Sequence, residues 1–564
     1  MEIGRKLLTG IGKGFVIGLV AGGAALVISY ALRIFAGGIF VPEIASQTLT
    51  SLTPGTIESQ AVENLGVFAK YSAFSGAIFG NLLLYGVIGI LFHFVSLRQA
   101  QRGHIISILQ LAAISYVIIV VTALILSQIT QIASHPLTLE LIAISLIPSQ
   151  IAFGLISYYL FRIPITKSEI DIRRNEVDLA HPASISSASE PDISKVSRRE
   201  FLRIVGIIGI GSMASAVLIQ WVTQLLSTTP MSTNITASPV NSTSTPTIGL
   251  SSEISLFYAS EITPNDRFYR IDTNIIPPNV DSSMWSLMVN GLVDNPLTLT
   301  YEDLKSMPSI EQYATLECVS DKVGDNLTSN ALWKGVSLKD ILQRAKIGTG
   351  AIYIVFRCYD GYDVGIPLEQ GLNGAFLAYE MNGVSLPIEH GYPLRAIVPG
   401  LYGMMNPKWI TSIELVDTVY QGFWQRRGWA NEAHYKIHSS IVIPGNALSQ
   451  RFPGLNQSTT RMLGNKVLIA GIAFAGDRGI SKVEVSVDGG NSWEEAKIKK
   501  PLSSKNTWVL WATEWNPPSE GRYDLSVRAV DGDGNMQAPG FMNPFPDGSS
   551  GYHTVTVTVV KAAT

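Results

Sequence analysis

Apolar residues crowd the first third of the chain into four long runs, at about 15–36, 73–95, 105–127 and 139–161. Each is long enough to cross a hydrocarbon core of ~30 Å as a helix. The flanking charges orient them. Arg5, Lys6 and Lys13 precede the first run, Arg98 and Arg102 separate the second and third, and Arg162, Lys167, Arg173 and Arg174 follow the fourth. The connections at 40–68 and 128–138 hold no Lys or Arg. Positive flanks stay on the cytoplasmic side, so the amino terminus is cytoplasmic and the fourth helix returns there. Arg33, at the outer end of the first run, dissents. His93 and His104 stand near helix ends and read as interfacial rather than as haem ligands.

A polar stretch, 163–196, leads to Ser197, Arg198, Arg199, Glu200, Phe201, Leu202 and Arg203, followed by a fifth apolar run at about 204–226. This segment resembles a twin-arginine export signal, with Arg203 where the pattern has Lys. Such a route suits a protein that folds around a cofactor before crossing the membrane. No small-residue cleavage motif follows, so the helix reads as an anchor that stays. Residues 227–250 are rich in Ser, Thr and Pro and read as a stalk. Four Asn-x-Ser/Thr triplets, at Asn234, Asn241, Asn326 and Asn456, all fall after the fifth apolar run. The remainder is expected outside the cytoplasmic membrane.

Behind the stalk the pattern changes. From about 255 to 440, short β-type runs alternate with turns and brief helical pieces, an α+β signature. From 446 onward, strands such as Val483–Val487 and Tyr523–Asp531 end in Gly-rich turns, which predicts an all-β, immunoglobulin-like sandwich. The expected domains are 1–165 (four transmembrane helices), 166–196 (cytoplasmic linker), 197–227 (anchor helix), 228–252 (stalk), 253–445 (α+β) and 446–564 (sandwich).

Composition then removes several functions. A net charge of −3 gives no basic surplus for nucleic acid, and the mean hydropathy of +0.25 agrees with a membrane half. Two cysteines, Cys318 and Cys358, cannot build a disulfide framework or hold an iron–sulfur cluster, and no Cys-x-x-Cys-His occurs to attach a c-type haem. No haem or iron–sulfur cluster is expected in this chain. Cys358 sits in an apolar β-like run and reads as core.

A lone cysteine such as Cys318 is usually a small buried hydrophobe. Its company along the chain changes that reading. Pro264 to Arg270 reads Pro-Asn-Asp-Arg-Phe-Tyr-Arg, Thr315 to Asp321 reads Thr-Leu-Glu-Cys-Val-Ser-Asp, and Ala378 to Gly383 reads Ala-Tyr-Glu-Met-Asn-Gly. His390 to Arg395 reads His-Gly-Tyr-Pro-Leu-Arg, followed by Val398-Pro399-Gly400, Lys408-Trp409 and Trp424-Gln425-Arg426-Arg427. In order and rough spacing these resemble the sulfite oxidase family of molybdopterin enzymes over nearly all of 255–560. The resemblance implies Cys318 as the molybdenum ligand, and Tyr269, Arg270, Asn274, His390, Arg395 and Lys408 around the molybdopterin. Arg395 and Lys408 are suitable counter-charges for its phosphate, and His390 is expected to donate a hydrogen bond to it. A soft sulfur ligand suits molybdenum, and an electropositive pocket would favour the thiolate.

Three departures bear on the substrate. The family's Arg pair after the cysteine is replaced by Asp321-Lys322-Val323-Gly324. Its catalytic tyrosine is replaced by Trp429, and an expected anion-binding Arg near Trp508–Trp511 is absent, with Val509 about there. Arg270, Lys322, Arg426 and Arg427, with Trp429 beside them, are the candidates for meeting substrate. A sulfite dianion needs several cations to offset its desolvation. The expected reaction is a two-electron oxygen-atom transfer on a sulfur compound. The alternatives are reduction of a sulfoxide or other S/N-oxide, or a non-catalytic membrane receptor that keeps the fold. The resemblance further implies a homodimer through the carboxy-terminal domain and an external electron carrier, cytochrome or quinone.

Overall fold

A computed structural model describes residues 2–57, 60–61, 67–97, 104–130, 139–162, 250–274, 276–445, 452 and 454–561. The linker at 166–196, the twin-arginine-like segment at 197–227 and the stalk lie outside the described residues, apart from the last few stalk positions. The chain divides into two compact units, one of Met1–Leu52 with Val67–Asn234, the other of Thr53–Gly66 with Ile235–Thr564.

The first unit holds α1 (Glu2–Ala36), α2 (Val41–Leu52), α3 (Val67–Leu97), α4 (His104–Thr130) and α5 (Leu139–Arg162). Four stretches are long and apolar enough to cross a membrane: Gly10–Ala36, Tyr71–Phe94, Ile108–Gln128 and Ile142–Phe161. They coincide with the runs read from the pattern. The short helix α2 was not anticipated, and it resolves the dissenting arginine. Arg33 Nε meets Glu43 Oε2 at 2.7 Å, its second nitrogen meets Oε1 at 3.3 Å, and Ser29 Oγ donates to the Ile39 carbonyl at 2.9 Å. The charge of Arg33, in the last turn of α1, is thereby neutralised by a carboxylate that is only 6% exposed.

Helix α1 approaches α3 through glycines. Gly14, Gly18 and Gly22 recur every four residues, which puts them on one face. A Cβ on Gly14 would lie 2.7 Å from the Gly89 carbonyl, one on Gly18 2.2 Å from the Tyr85 carbonyl, and one on Gly22 2.4 Å from the Tyr85 side chain. Small residues let transmembrane backbones pack closely where lipid offers no hydrophobic drive. His93 packs its ring beside Gly10 and stacks on Phe161 at 6.4 Å between centroids.

The second unit opens with α6 (Leu250–Ala259). Its first sheet is built from β1 (Ser286–Gly291), β2 (Leu297–Thr300), β5 (Tyr353–Cys358), β6 (Asp363–Pro367) and β10 (Ile410–Val416), in the order β2-β1-β10-β5-β6. Its second sheet has β3 (Ser309–Glu317), β4 (Thr328–Ser337), β7 (Phe376–Met381) and β8 (Val384–Ser385) in sequence, with β9 (Arg395–Ile397) beside β7. Helices α7 (Tyr301–Ser306), α8 (Leu338–Ala345) and α9 (Leu368–Leu372) connect these strands.

The carboxy-terminal part is two further sheets. One orders β11 (His438–Ile443), β13 (Val467–Phe474), β17 (Val509–Trp515) and β16 (Lys497–Ile498) as β11-β13-β17-β16. The other orders β12 (Thr460–Met462), β19 (His553–Val560), β18 (Gly521–Asp531), β14 (Ile480–Ser486) and β15 (Glu494–Glu495) as β12-β19-β18-β14-β15. Alternate side chains of both, including Val483, Trp511, Leu525 and Val557, make one apolar core. Strand β11, placed ahead of residue 446 in the sequence reading, pairs with β13 and so lies in this sandwich. The sandwich also braces β3: Trp508 N donates to Thr315 Oγ1 at 2.8 Å, and Trp508 Nε1 to the Glu261 carbonyl at 3.0 Å.

The glycine face of α1 gives a direct expectation. Gly18→Leu should lower the thermal stability of the detergent-solubilised protein by several degrees, because the added side chain meets backbone of α3. Gly12→Leu, where a Cβ meets nothing within 4 Å, should leave it unchanged. A thermal melt of the two variants checks the contrast.

Candidate active site

Cys318 follows the last residue of β3, where the strand opens into a loop that returns at β4. Its backbone N–H still pairs with the Leu327 carbonyl at 3.0 Å, so the strand ladder holds its position. Asp321 closes the loop, accepting from Leu327 N at 3.1 Å and Thr328 Oγ1 at 2.6 Å. The thiol is 8% exposed, with Sγ 3.1 Å from Ser320 Oγ.

The opening segment, 264–274, lies against the same place. Tyr269 N donates to Ser329 Oγ on β4 at 3.0 Å. A Cβ on Gly403 would lie 2.3 Å from the Tyr269 hydroxyl and 3.2 Å from the Glu317 carbonyl, so only glycine fits there. Asn274 is buried further along this segment, at 5% exposure.

The third component is the turn from His390 to Lys408. Gly391 has φ of +114°, and a Cβ there would sit 3.1 Å from the Arg395 Cβ and 3.0 Å from the Lys408 Cβ. Asn406 fastens the return: its Oδ1 accepts from Val398 N at 2.7 Å, and its Nδ2 donates to the Leu401 and Tyr402 carbonyls, each at 3.0 Å. Arg395, 5% exposed, donates to the His390 carbonyl at 3.1 Å and the Asn406 carbonyl at 3.3 Å, and lies over the Trp333 ring at 4.8 Å. Its Nε is buried with no hydrogen-bond partner among the described residues, and no carboxylate pairs with it there. Burial lowers its pKa to about 10, which leaves it charged at neutral pH.

The electrostatics differ from the expected electropositive pocket. Burial pushes the Cys318 thiol up to about 11, and Asp321 and Glu317 add to the rise. The free thiol therefore keeps its proton, and a bound metal cation must displace it. Behind the cysteine, Glu317 Oε1 meets His438 Nδ1 at 3.2 Å, and His438 Nε2 lies 2.8 Å from Ser440 Oγ. Burial opposes the charge on His438, but Glu317 prevails and raises its pKa. Burial and Glu317 together raise Asp321. Tyr435 adds a hydroxyl that accepts from Glu317 N at 3.3 Å.

Asp272, which the sequence reading passed over, decides the state of two expected cations. Its side chain is 1% exposed and bonds both Arg270 Nε at 2.5 Å and the Lys408 ammonium. Lys408 also donates to the Glu389 carbonyl at 3.1 Å. His390, 2% exposed, places Nε2 2.8 Å from the Asn265 carbonyl. A carbonyl only accepts, so Nε2 carries the hydrogen and Nδ1 is left as an acceptor. The expected donation from His390 to a cofactor is thus not available in this arrangement, because the hydrogen is held by Asn265. Burial lowers the His390 pKa to about 4.

The remaining candidates are placed elsewhere or make other contacts. Arg426 is clamped on Asp363, at 3.0 and 2.9 Å. Arg427 lies 3.5 Å over the Phe423 ring, and Trp429 is 7% exposed and packs edge-on to Phe545. Trp429 is thus packed into the core. Lys322 is half-buried in the loop after Cys318, and Val509 is buried in β17. Cys358 is fully buried in β5, as read.

Among the described residues no group of His, Cys, Asp and Glu could enclose a metal ion. Among the described residues, Cys318 at the end of β3 offers one buried sulfur, so a metal held there would take its other ligands from a cofactor. A buried arginine lacking a counter-anion, two glycine-lined approaches and a lone buried thiol fit a metal carried by an anionic organic group. Comparison with known proteins agrees. A family model described as an oxidoreductase molybdopterin-binding domain matches residues 274–424, and one described as a Mo-co oxidoreductase dimerisation domain matches 427–546. Sulfite oxidase of Arabidopsis thaliana is 30% identical over 337 residues, covering 50% of this chain and 84% of that protein. Mitochondrial sulfite oxidase of Rattus norvegicus is 28% identical over 324 residues, covering 50% of this chain and 58% of the rat protein. The crystal structure of the sulfane dehydrogenase SoxCD from Paracoccus pantotrophus is similar over 54% of this chain and 84% of its own, at 22% identity and a TM-score of 0.46. The chain belongs to the sulfite oxidase family. It is a molybdopterin-dependent oxidoreductase, and its dimerisation domain supports a homodimer.

The shifted histidine has a consequence for stability. His390 is neutral in the fold down to pH about 4, whereas an unfolded histidine protonates near ~6.5. Its contribution is therefore present above pH ~6.5 and is lost as pH falls toward 4, by up to roughly 3 kcal/mol. His390→Gln should flatten the pH dependence of unfolding in that window, as read by denaturant titrations at a series of pH values.

Proposed function

We propose that the catalytic half stands outside the cytoplasmic membrane and performs two-electron oxygen-atom transfer on a sulfur compound, exchanging electrons with an external carrier, cytochrome or quinone. In this reading the carboxy-terminal sandwich is immunoglobulin-like. The observation that supports the reaction type is that Cys318 and a buried Arg395, which has no carboxylate partner among the described residues, both flank Tyr269 and Tyr435, within a chain of this family. Cys318 would hold the molybdenum. Arg395 and Lys408 would bind the phosphate of the molybdopterin, Tyr269 and Asn274 would line its bed, and Arg270 would face the substrate side. When bound, the molybdenum supplies the oxygen-atom exchange. The protein's own part is to hold the thiolate on the strand end, to seat the anion and to exclude water with the Tyr269, Tyr435 and Trp333 rings. His438 and Glu317 keep a proton beneath Cys318, which matters in a reaction that moves protons with electrons.

A second reading, reduction of a neutral sulfoxide or other S/N-oxide, is favoured by the pairing of the cations. Arg270 and Lys408 share Asp272, and Arg426 is bound to Asp363. A carboxylate on each cation weakens attraction for a sulfite dianion and leaves a neutral oxide unpenalised.

Elemental analysis of the chain produced in a molybdopterin-competent host should find near one molybdenum per chain, and Cys318→Ser should abolish it; metal retained in that variant would refute the ligand assignment. Arg395→Met should lose pterin fluorescence from the purified protein, since it removes the buried counter-charge. Asp272→Asn frees two cations, so it should lower KM for sulfite by roughly tenfold if sulfite is the substrate. An unchanged KM for sulfite, with turnover of a sulfoxide by reduced viologen dye, selects the reductase.

A further inference from the structure

The four-helix unit contains a buried polar cluster that the chemistry at Cys318 does not use. Asn81 and Tyr85 stand one turn apart on α3 and share a face. Ser149 and Gln150 lie near the middle of the span Ile142–Phe161. Gln150 is 1% exposed, and its Nε2 donates to the Tyr85 hydroxyl at 2.7 Å and to Ser149 Oγ at 3.2 Å. Gln150 Oε1 and the Oδ1 of Asn81, itself 7% exposed, have no hydrogen-bond partner among the described residues. Pro148 precedes this pair inside α5, and without an N–H it leaves the Ile144 carbonyl with no helical donor. Aromatic rings flank the amides, with Phe153 4.9 Å from Tyr85 and 5.6 Å from Phe92.

Hydrocarbon gives an unpaired amide nothing to bond, so polar groups kept at this depth mark a bound polar partner. We propose that Asn81, Tyr85 and Gln150 bind the headgroup of a membrane quinone, the two-electron carrier of the catalytic half. This rests on the oxidoreductase reading above. A quinone headgroup is flat and apolar, with carbonyl oxygens when oxidised and hydroxyls when reduced. An amide carries both a donor and an acceptor, and a tyrosine hydroxyl serves as either, so the same residues satisfy both forms. An unpaired amide oxygen can accept a hydrogen bond from an O–H group of the reduced form. The exchange balances. Substrate and one water give the oxygenated product, two protons and two electrons, and the quinone takes two electrons and two protons as its two C=O groups become C–OH. For a reductase the same steps run in reverse.

The test uses the full-length chain in lipid nanodiscs, titrated with decylubiquinone and with its quinol. Binding is read by quenching of intrinsic fluorescence and, separately, turnover is read with ferricyanide as acceptor. Saturable binding is expected, tighter for the quinol. Gln150→Leu should weaken it about tenfold and Tyr85→Phe, which keeps the ring packing, by about three- to tenfold. Neither change should alter ferricyanide-linked turnover. Cys318→Ser should lose turnover but bind quinol as the unaltered chain does, which separates failure of the oxidoreductase reading from failure of this one. Absence of saturable binding, or equal affinity in Tyr85→Phe and the unaltered chain, overturns the proposal; should Gln150→Leu fail to fold, Tyr85→Phe decides alone.

Discussion

The catalytic half is organised around a guanidinium taken out of water with no counter-ion among the described residues. Arg395 satisfies some of its donors on the His390 and Asn406 carbonyls, and its Nε has no partner among them. Burying such a charge is costly, and the cost stands unless an anion meets it. Much of the neighbouring chain serves that geometry. Gly391 gives the turn its positive φ and leaves room for the side chain, Asn406 secures the return, and Trp333 supplies a ring beneath the cation. A cofactor that brings its own anion would complete this arrangement, and in the proposed reading the same cofactor would complete the coordination that the Cys318 thiol begins.

Charge is arranged in opposition on the two sides of the cofactor bed. Beneath Cys318 lie carboxylates and a histidine, which disfavour a free thiolate and make thiolate formation depend on the metal. On the 264–274 segment, Asp272 ties Arg270 to Lys408. One buried carboxylate thus tunes two cations that the sequence presents as independent. The balance is poorer in net positive charge than a dianion pocket requires, and it is the main physical reason to keep a neutral substrate in view.

The membrane unit follows other rules. Helices α1 and α3 meet through backbone, at Gly14, Gly18 and Gly89, and Arg33 is paired with Glu43. Polar bonds such as Gln150 Nε2 to Tyr85 and the Tyr116 hydroxyl to the Ala143 carbonyl join other helices. Among the described residues, Asn81 and Gln150, with Gln110 and Ser157, keep buried oxygens without a partner.

Much of this was legible along the chain. The four spans follow from long apolar runs, because crossing hydrocarbon demands length and leaves no latitude. The family motifs that contain Cys318, Arg395 and Lys408 were legible along the chain, and the molybdopterin-binding family model over residues 274–424 spans all three. The pairing of Arg270 and Lys408 through Asp272, the placing of His438 beneath Glu317, and the withdrawal of Arg426 and Trp429 into Asp363 and Phe545 were not. Each joins residues far apart in the chain, or turns on where one side chain points, and neither periodicity nor spacing encodes that. The sequence by itself determined which segments are long and apolar enough to cross a membrane and which residue types stand in the family's motifs. Only the tertiary structure decided which of those charges are spent on one another, because pairing depends on distances that folding alone sets.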